Sequence, residues 1–144
     1  MQLAEACERE VVTLHEFFED WFAGRVEKAD AAFDRVRDAL GDEFEMVAPS
    51  GRTVGRESVI TGIWEVHGRD TDADPHEVRV EDLRVRYVRE DLCLVTYEEW
   101  QRGPDAETGR QSSALLRRDE TAPNGVEWLH LHETWLPGAS PDES

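Results

Sequence analysis

Lysine is nearly missing from this chain: Lys28 stands alone among fifteen arginines and thirty-three acidic residues, and the formal net charge over 144 residues is −17. Acidity of that size excludes a surface built for nucleic-acid phosphates. It runs along the whole chain rather than in one tail, which marks it as surface chemistry. An acid excess with one lysine is the pattern expected in a salt-rich cytoplasm, where salt screens self-repulsion. Cysteine is scarce too. Cys7 and Cys93 form no CxxC or Cys/His spacing, so no zinc site is written here. One falls on the apolar stripe of an expected helix and the other in an expected strand, so both are expected as buried reduced thiols. Long hydrophobic runs are absent, which excludes a membrane-spanning helix. The first residues, MQLAEACEREVV, lack a basic head and an apolar core, so no secretory signal is expected and the expected location is cytoplasmic. No GxSxG elbow surrounds Gln111-Ser112-Ser113, and the glycines have no phosphate-loop spacing.

What is present is enough for one core. The chain is 39% hydrophobic, with five Trp and five Phe, and its length suits a single domain, here 1–137, followed by a tail, 138–144, expected to be disordered. Leu3, Cys7, Val11, Leu14, Phe18 and Trp21 recur at three- and four-residue spacings and predict a helix over 3–23. Glu5, Glu8, Glu10, Glu16 and Glu19 fill its polar side, and His15 falls at the stripe's edge as a half-exposed group. A second helix is predicted over 27–40 and a third over 56–67, with short strands at 44–48 and 52–54 between them. Residues 69–75 carry three alternate aspartates, but the glycine and glutamate of a calcium loop are not placed to complete one. Four strands follow: 76–89 with a bulge at Glu81-Asp82, 92–102 after a tight turn at Glu90-Asp91, 111–118 and 126–137.

The last strand, GVEWLHLHETWLP, organises the chain. Strict alternation puts Val126, Trp128, His130, His132 and Thr134 on one face and Glu127, Leu129, Leu131, Glu133 and Trp135 on the other. Both faces carry large apolar groups, so a central strand covered on both sides is expected. His130 and His132 then stand ~7 Å apart on one face. Three roles stay open for them: structural residues in a cavity or dimer surface, acid–base or ligand-orienting groups, or metal ligands completed by Glu98 or Glu99. Glu98 and Glu99 point to opposite faces of their strand. The inward one would have a raised pKa unless paired with a histidine or with an arginine such as Arg110.

Helices first and long strands after imply an α+β fold, with helices packed on one face of a curved sheet. The order helix–helix–strand–turn–helix–four strands resembles the nuclear transport factor 2-like superfamily, the SnoaL-like and ketosteroid-isomerase-like cones. GDEFEMVAPSG (41–51), VREDLCLVTYEEW (88–100) and VEWLHLHETW (126–135) carry the likeness. It implies an internal cavity and a homodimer through the convex face of the sheet. Carried onto this chain, the likeness puts Phe18, Trp21, Phe22, Met46, Ala48, Trp64, Ser112 and Trp128 at the ligand, with His130, His132, Tyr97 and Glu99 as the catalytic candidates. Glu98 and Trp100 replace Tyr97 and Glu99 if the strand parity is opposite. The isomerases' base aspartate before a proline is here Ala48 before Pro49, and the helices carry no tyrosine. The implied function is binding of a small, largely apolar molecule, with cofactor-free acid–base chemistry of isomerase, dehydratase or cyclase type. In that chemistry His132 or an inward glutamate is the base, and Tyr97 or the other histidine stabilises an oxyanion. No metal, cofactor, nucleic acid or membrane enters this reading. The alternative is a homodimeric scaffold whose cavity is filled by its own side chains.

Overall fold

The computed structural model describes residues 1–69, 77–103 and 106–141. The aspartate-rich segment 70–75 and the end of the tail, 142–144, lie outside the described residues. Three helices, α1 (Leu3–Phe22), α2 (Asp30–Arg37) and α3 (Arg56–Glu65), accompany six strands: β1 (Leu40–Val47), β2 (Thr53–Gly55), β3 (Glu77–Arg89), β4 (Leu92–Arg102), β5 (Glu107–Arg118) and β6 (Val126–Trp135). The sheet order is β2-β1-β6-β5-β4-β3. β1 pairs with β6 in parallel and every other pairing is antiparallel. The fold is the α+β cone: a curved, unclosed mixed sheet with α1 lying across its concave face, against β3, β4 and β6.

Two elements are longer than periodicity suggests, and one is shorter. β1 starts at Leu40 and β5 at Glu107. In both, glycine and charged residues hide a ladder whose hydrogen bonds come from neighbouring strands rather than from local propensity. α2 stops at Arg37, because Ala39 is already buried with its carbonyl accepting from Trp128 N–H. The expected bulge is present: the β3–β4 register shifts between Glu81 and Arg84, and Asp82 takes φ 52°. The tight turn at Glu90-Asp91 is also there, with Glu90 at φ 55°. Gly109 N–H donates to Ala139 O at 3.0 Å, and Ala139 is buried.

The core forms where α1 meets the sheet. Cys7 and Val11 of α1 pack with Cys93, Val95, Ala114, Leu116 and Val126 of the strands, all fully buried. Both cysteines are free thiols, as their positions suggested. A second aromatic cluster joins Trp21 to Phe33 at 4.7 Å and Trp64 at 5.5 Å between ring centroids, and Trp21 Nε1 donates to Ile63 O at 2.8 Å. Near the sheet's edge, Trp100 lies across Gly109: a Cβ there would meet the indole at 2.7 Å. Arg79 stacks on that ring, and the ring's Nε1 donates to Glu98, so it has little room to move. Gly109→Ala is therefore expected to cost about 1–3 kcal/mol in urea denaturation. An unchanged midpoint would show that the indole moves freely.

Candidate functional site

β6 does not alternate strictly. On β5, Leu116 pairs with Trp128 and Leu115 with His130, so Leu129 is an extra residue that no partner opposes. This bulge reverses the parity of everything after it. Val126 and Trp128 face inward before it, and Leu131 and Glu133 after it. His130 and His132 therefore stand on the outer face, ring centroids 6.5 Å apart, with His132 exposed. They are not in the wall of the cavity between α1 and the sheet, and lie away from the inward carboxylates. The strand is covered on one face only. Ala48 and Trp64 are also outside the cavity. Ala48 closes the β1–β2 turn by accepting from Gly51 N–H, and Trp64 belongs to the aromatic cluster with Trp21.

The cavity itself has a volume of about 190 Å3. Leu14, Phe18 and Phe22 of α1, Phe44 and Met46 of β1, and Val59 and Ile63 of α3 form much of its wall, with Trp128 and Leu131 of β6 completing the apolar part. Of the sequence candidates, Phe18, Phe22, Met46, Trp128, Tyr97 and Glu99 line it. Ser112 is fully buried directly across from Tyr97 in the β4–β5 ladder.

Polar groups gather at one end. On β4, residues 93, 95, 97 and 99 point inward, which settles the parity in favour of Tyr97 and Glu99. Glu99 meets His15, which is buried rather than half-exposed. His15 Nε2 lies 2.7 Å from Glu99 Oε1, and His15 Nδ1 lies 2.7 Å from Val11 O. A carbonyl can only accept, so Nδ1 carries a proton, and with Glu99 ionised the ring serves two acceptors as an imidazolium. Burial alone would neutralise both partners. The mutual hydrogen bond and charge outweigh it, raising the His15 pKa and holding Glu99 at about 2 with help from Arg110 and Gln101. Gln101 Nε2 donates to Glu99 Oε2 at 2.7 Å.

Arg110, paired with Glu99 across the ladder, bridges the two inward carboxylates. Its Nη1 donates to Glu133 Oε1 at 3.1 Å, while its Nε lies 3.6 Å from Glu99 Oε2, too far for a hydrogen bond. Glu133 is buried, and burial together with the neighbouring Glu99 charge pushes its pKa up to about 7 despite Arg110. It is the carboxyl of this cluster that changes charge near neutral pH. Tyr97 is driven the other way from reactivity. Burial, then Glu99 and Glu133, lift its hydroxyl well above the ordinary range, so it stays a protonated donor. Among the described residues, three buried side-chain atoms have no hydrogen-bond partner: Tyr97 Oη, Ser112 Oγ and Arg110 Nε.

Sequence reasoning missed Glu133 because a bulge leaves no mark in an alternating pattern. It missed His15 because the helix stripe was drawn too narrow: Val11, His15, Phe18 and Phe22 form one face at spacings of three and four. Among the described residues, no three His, Cys, Asp or Glu side chains are placed to hold a metal ion. No helix among them is long and apolar enough to cross a membrane.

The fold and its cavity define an NTF2-like cone. An NTF2-like protein of unknown function from Pseudomonas aeruginosa superposes with a TM-score of 0.79 at 23% identity, covering 91% of this chain and 98% of that one. The CaMKII hub of S. rosetta gives a TM-score of 0.67 at 13% identity over 94% and 98%. A putative scytalone dehydratase from Novosphingobium aromaticivorans gives 0.67 at 11% over 92% and 83%. Within that fold, residues 7–137 match the model of the sucrose-6-phosphate phosphohydrolase C-terminal family, and the chain belongs to that family. Sucrose-phosphatase 1 of Nicotiana tabacum is 28% identical over 136 residues, and sucrose-phosphatase 2 of the same plant 27%. The chain matches 94% of its own length but spans about a third, 32%, of those relatives.

Proposed function

We propose that this cone binds a small molecule with an apolar body and one polar end, and that the polar end can exchange a proton with Glu133. Glu133 would serve as base or acid near neutral pH, and Tyr97 would hold an oxygen on which negative charge develops. Supporting this reading above all is the pairing of an apolar cavity with two donors of its wall, Tyr97 Oη and Arg110 Nε, that have no hydrogen-bond partner among the described residues. Glu99, locked by His15 and Gln101, would set the geometry rather than move protons. The outward histidines have no part in this chemistry.

The names of the plant relatives suggest a sugar phosphate for those whole proteins. The cavity wall argues for something else here: each buried sugar hydroxyl needs a partner, and the polar groups sit at one end only. Sucrose and sucrose 6-phosphate therefore belong in the screen as compounds expected to fail. Native mass spectrometry of freshly purified protein, followed by a thermal-shift screen of small fragments, tests the reading. Extra mass lost on denaturation, or fragments that raise Tm, supports it. No adduct and no stabilising fragment would sink it.

A variant sharpens the test. Tyr97→Phe removes an unsatisfied buried hydroxyl and keeps the ring. It is expected to stabilise the free protein by about 1 kcal/mol while weakening fragment binding. A loss of stability would show that the hydroxyl already has a partner.

A scaffold is the second reading, and one surface favours it. Tyr87, Val88, Leu92 and Leu94 are exposed large apolar residues on the β3–β4 hairpin. A homodimer through the outer face of the sheet would cover those that face it, and His130 and His132 would lie on the same face. Sedimentation equilibrium at several concentrations checks this. A monomer at tens of micromolar would remove the support.

A further inference from the structure

The polar end of the cavity holds donors that no acceptor takes up. Among the described residues, Tyr97 Oη and Arg110 Nε of the cavity wall are buried without a hydrogen-bond partner. The carboxylates nearby already accept other donors. Glu99 takes His15 on one oxygen and Gln101 on the other, and Glu133 takes Arg110. A ligand seated there must bring lone pairs. A neutral carbonyl brings two on one atom, whereas a carboxylate brings about four on two oxygens, one oxygen for each of two separated donors.

Charge points the same way. The imidazolium of His15 and the carboxylate of Glu99 cancel, leaving the Arg110 guanidinium against Glu133. With Glu133 ionised the cluster is neutral. With Glu133 protonated it carries one positive charge in a site of low dielectric, where an unmatched charge calls for a counterion.

Resting on the ligand-binding reading above, we infer that the ligand is a small monocarboxylate with an apolar body. Its carboxylate lies against Tyr97 and Arg110, and Glu133 keeps its proton when the ligand is bound. A volume of about 190 Å3 suits an acid of roughly six to ten heavy atoms, by comparison with cavities that hold benzene. The groups that act on Glu133 are known from each packed element. They are Arg110 from β5, Glu99 and Tyr97 from β4, and the charged His15 from α1; α3 and β1 present Val59, Ile63, Leu40, Phe44 and Met46 to the cavity, and α2 and β3 present Val36 and Val78, all apolar. Two carboxylates cannot both be ionised at that spot without strong repulsion, so binding holds a proton on Glu133. Linkage then makes affinity fall as pH rises through the free-protein midpoint of about 7.

The test is isothermal titration of the full chain with butyrate, hexanoate and phenylacetate, each beside its neutral amide, and with phenylacetone as a neutral ketone. Titrations at pH 6, 7 and 8 are run in buffers of low and high ionisation heat. At pH 6 the preferred acid is expected to bind at least tenfold tighter than its amide. Its affinity should drop about tenfold by pH 8, with net proton uptake at pH 7. Tyr97→Phe should weaken the acid several-fold and its amide less. Glu133→Gln should flatten the pH dependence and abolish proton uptake without abolishing binding. Amides or the ketone binding as tightly as the acids, or a flat pH profile in the unaltered protein, overturns the carboxylate while leaving the cavity reading intact. If no probe binds and the fragment screen is also empty, both fall together.

Discussion

Glu10→Ala is expected to lower the stability of the fold by about 3–5 kcal/mol, more than any other single change considered for this chain. Glu10 lies on α1 and is completely buried. Its Oε1 accepts from Arg35 Nη2 and from Asn124 Nδ2, both at 2.8 Å. Its Oε2 accepts from Trp128 Nε1 at 2.8 Å and from Arg35 Nη1 at 3.2 Å. One carboxylate thus ties α1 to α2, to the β5–β6 loop and to β6. Thr13 doubles the tie by accepting from Arg35 and Asn124. Removing the carboxylate leaves a largely buried guanidinium without its counter-charge and a buried indole N–H without an acceptor, and both penalties fall on the folded state. Glu8→Ala, one turn position away on the exposed side, is the control and should change stability by less than about 0.5 kcal/mol. Urea denaturation decides it: similar midpoints for the two variants would show that the four-donor site contributes nothing.

The second large effect has the opposite sign and depends on pH. Glu133→Gln should stabilise the protein at pH 8 by about 3 kcal/mol and leave it nearly unchanged at pH 4.5. The folded-state pKa of Glu133, about 7, lies above its ordinary value of 4.5. The folded chain therefore holds a proton that the unfolded chain releases between those two values. Stability from this group is complete below about 4.5 and is lost as pH rises through 7. Glutamine keeps an acceptor for Arg110 and never ionises, so it escapes that loss. Glu99 works the other way. Its pKa is depressed to about 2, so its pair with His15 contributes above 4.5 and fades as pH falls towards 2. An equal difference between Glu133→Gln and the parent at both pH values would show that Glu133 ionises normally.

Much of the fold could be read from periodicity, and the candidate site could be read only in part. The helix stripes, the β3 bulge, the turn at Glu90-Asp91 and the buried cysteines all follow from local patterns in the residues themselves. The parity of β4 was open between Tyr97/Glu99 and Glu98/Trp100, and α1 packing on the sheet selects the first pair. What could not be read was anything decided by register between distant strands. Leu129 looks like an ordinary member of an alternating run. Its status as a bulge exists only because Leu115 and Leu116 of β5 pair with His130 and Trp128. That one residue exchanges the two histidines for Leu131 and Glu133 in the interior. Glu10 and His15 were hidden differently. Both fall at helical spacing from apolar neighbours, at Cys7–Glu10–Leu14 and Val11–His15–Phe18, but a charged or titratable residue on a buried face is credible only once its partners are known. Those partners lie 84 to 118 residues away in the chain for Glu99, Asn124 and Trp128.

Inside the cone, Glu133 is a carboxyl that changes charge near neutral pH. Carbon-13 detection of the Glu133 carboxyl across pH 3 to 9, assigned by comparison with Glu133→Gln, tests that claim most directly. A midpoint near 7 that rises further when a bound carboxylate is added is the predicted result. A midpoint near 4.5, unmoved by any ligand, would contradict it and leave the cavity an apolar interior with ordinary carboxylates at its rim.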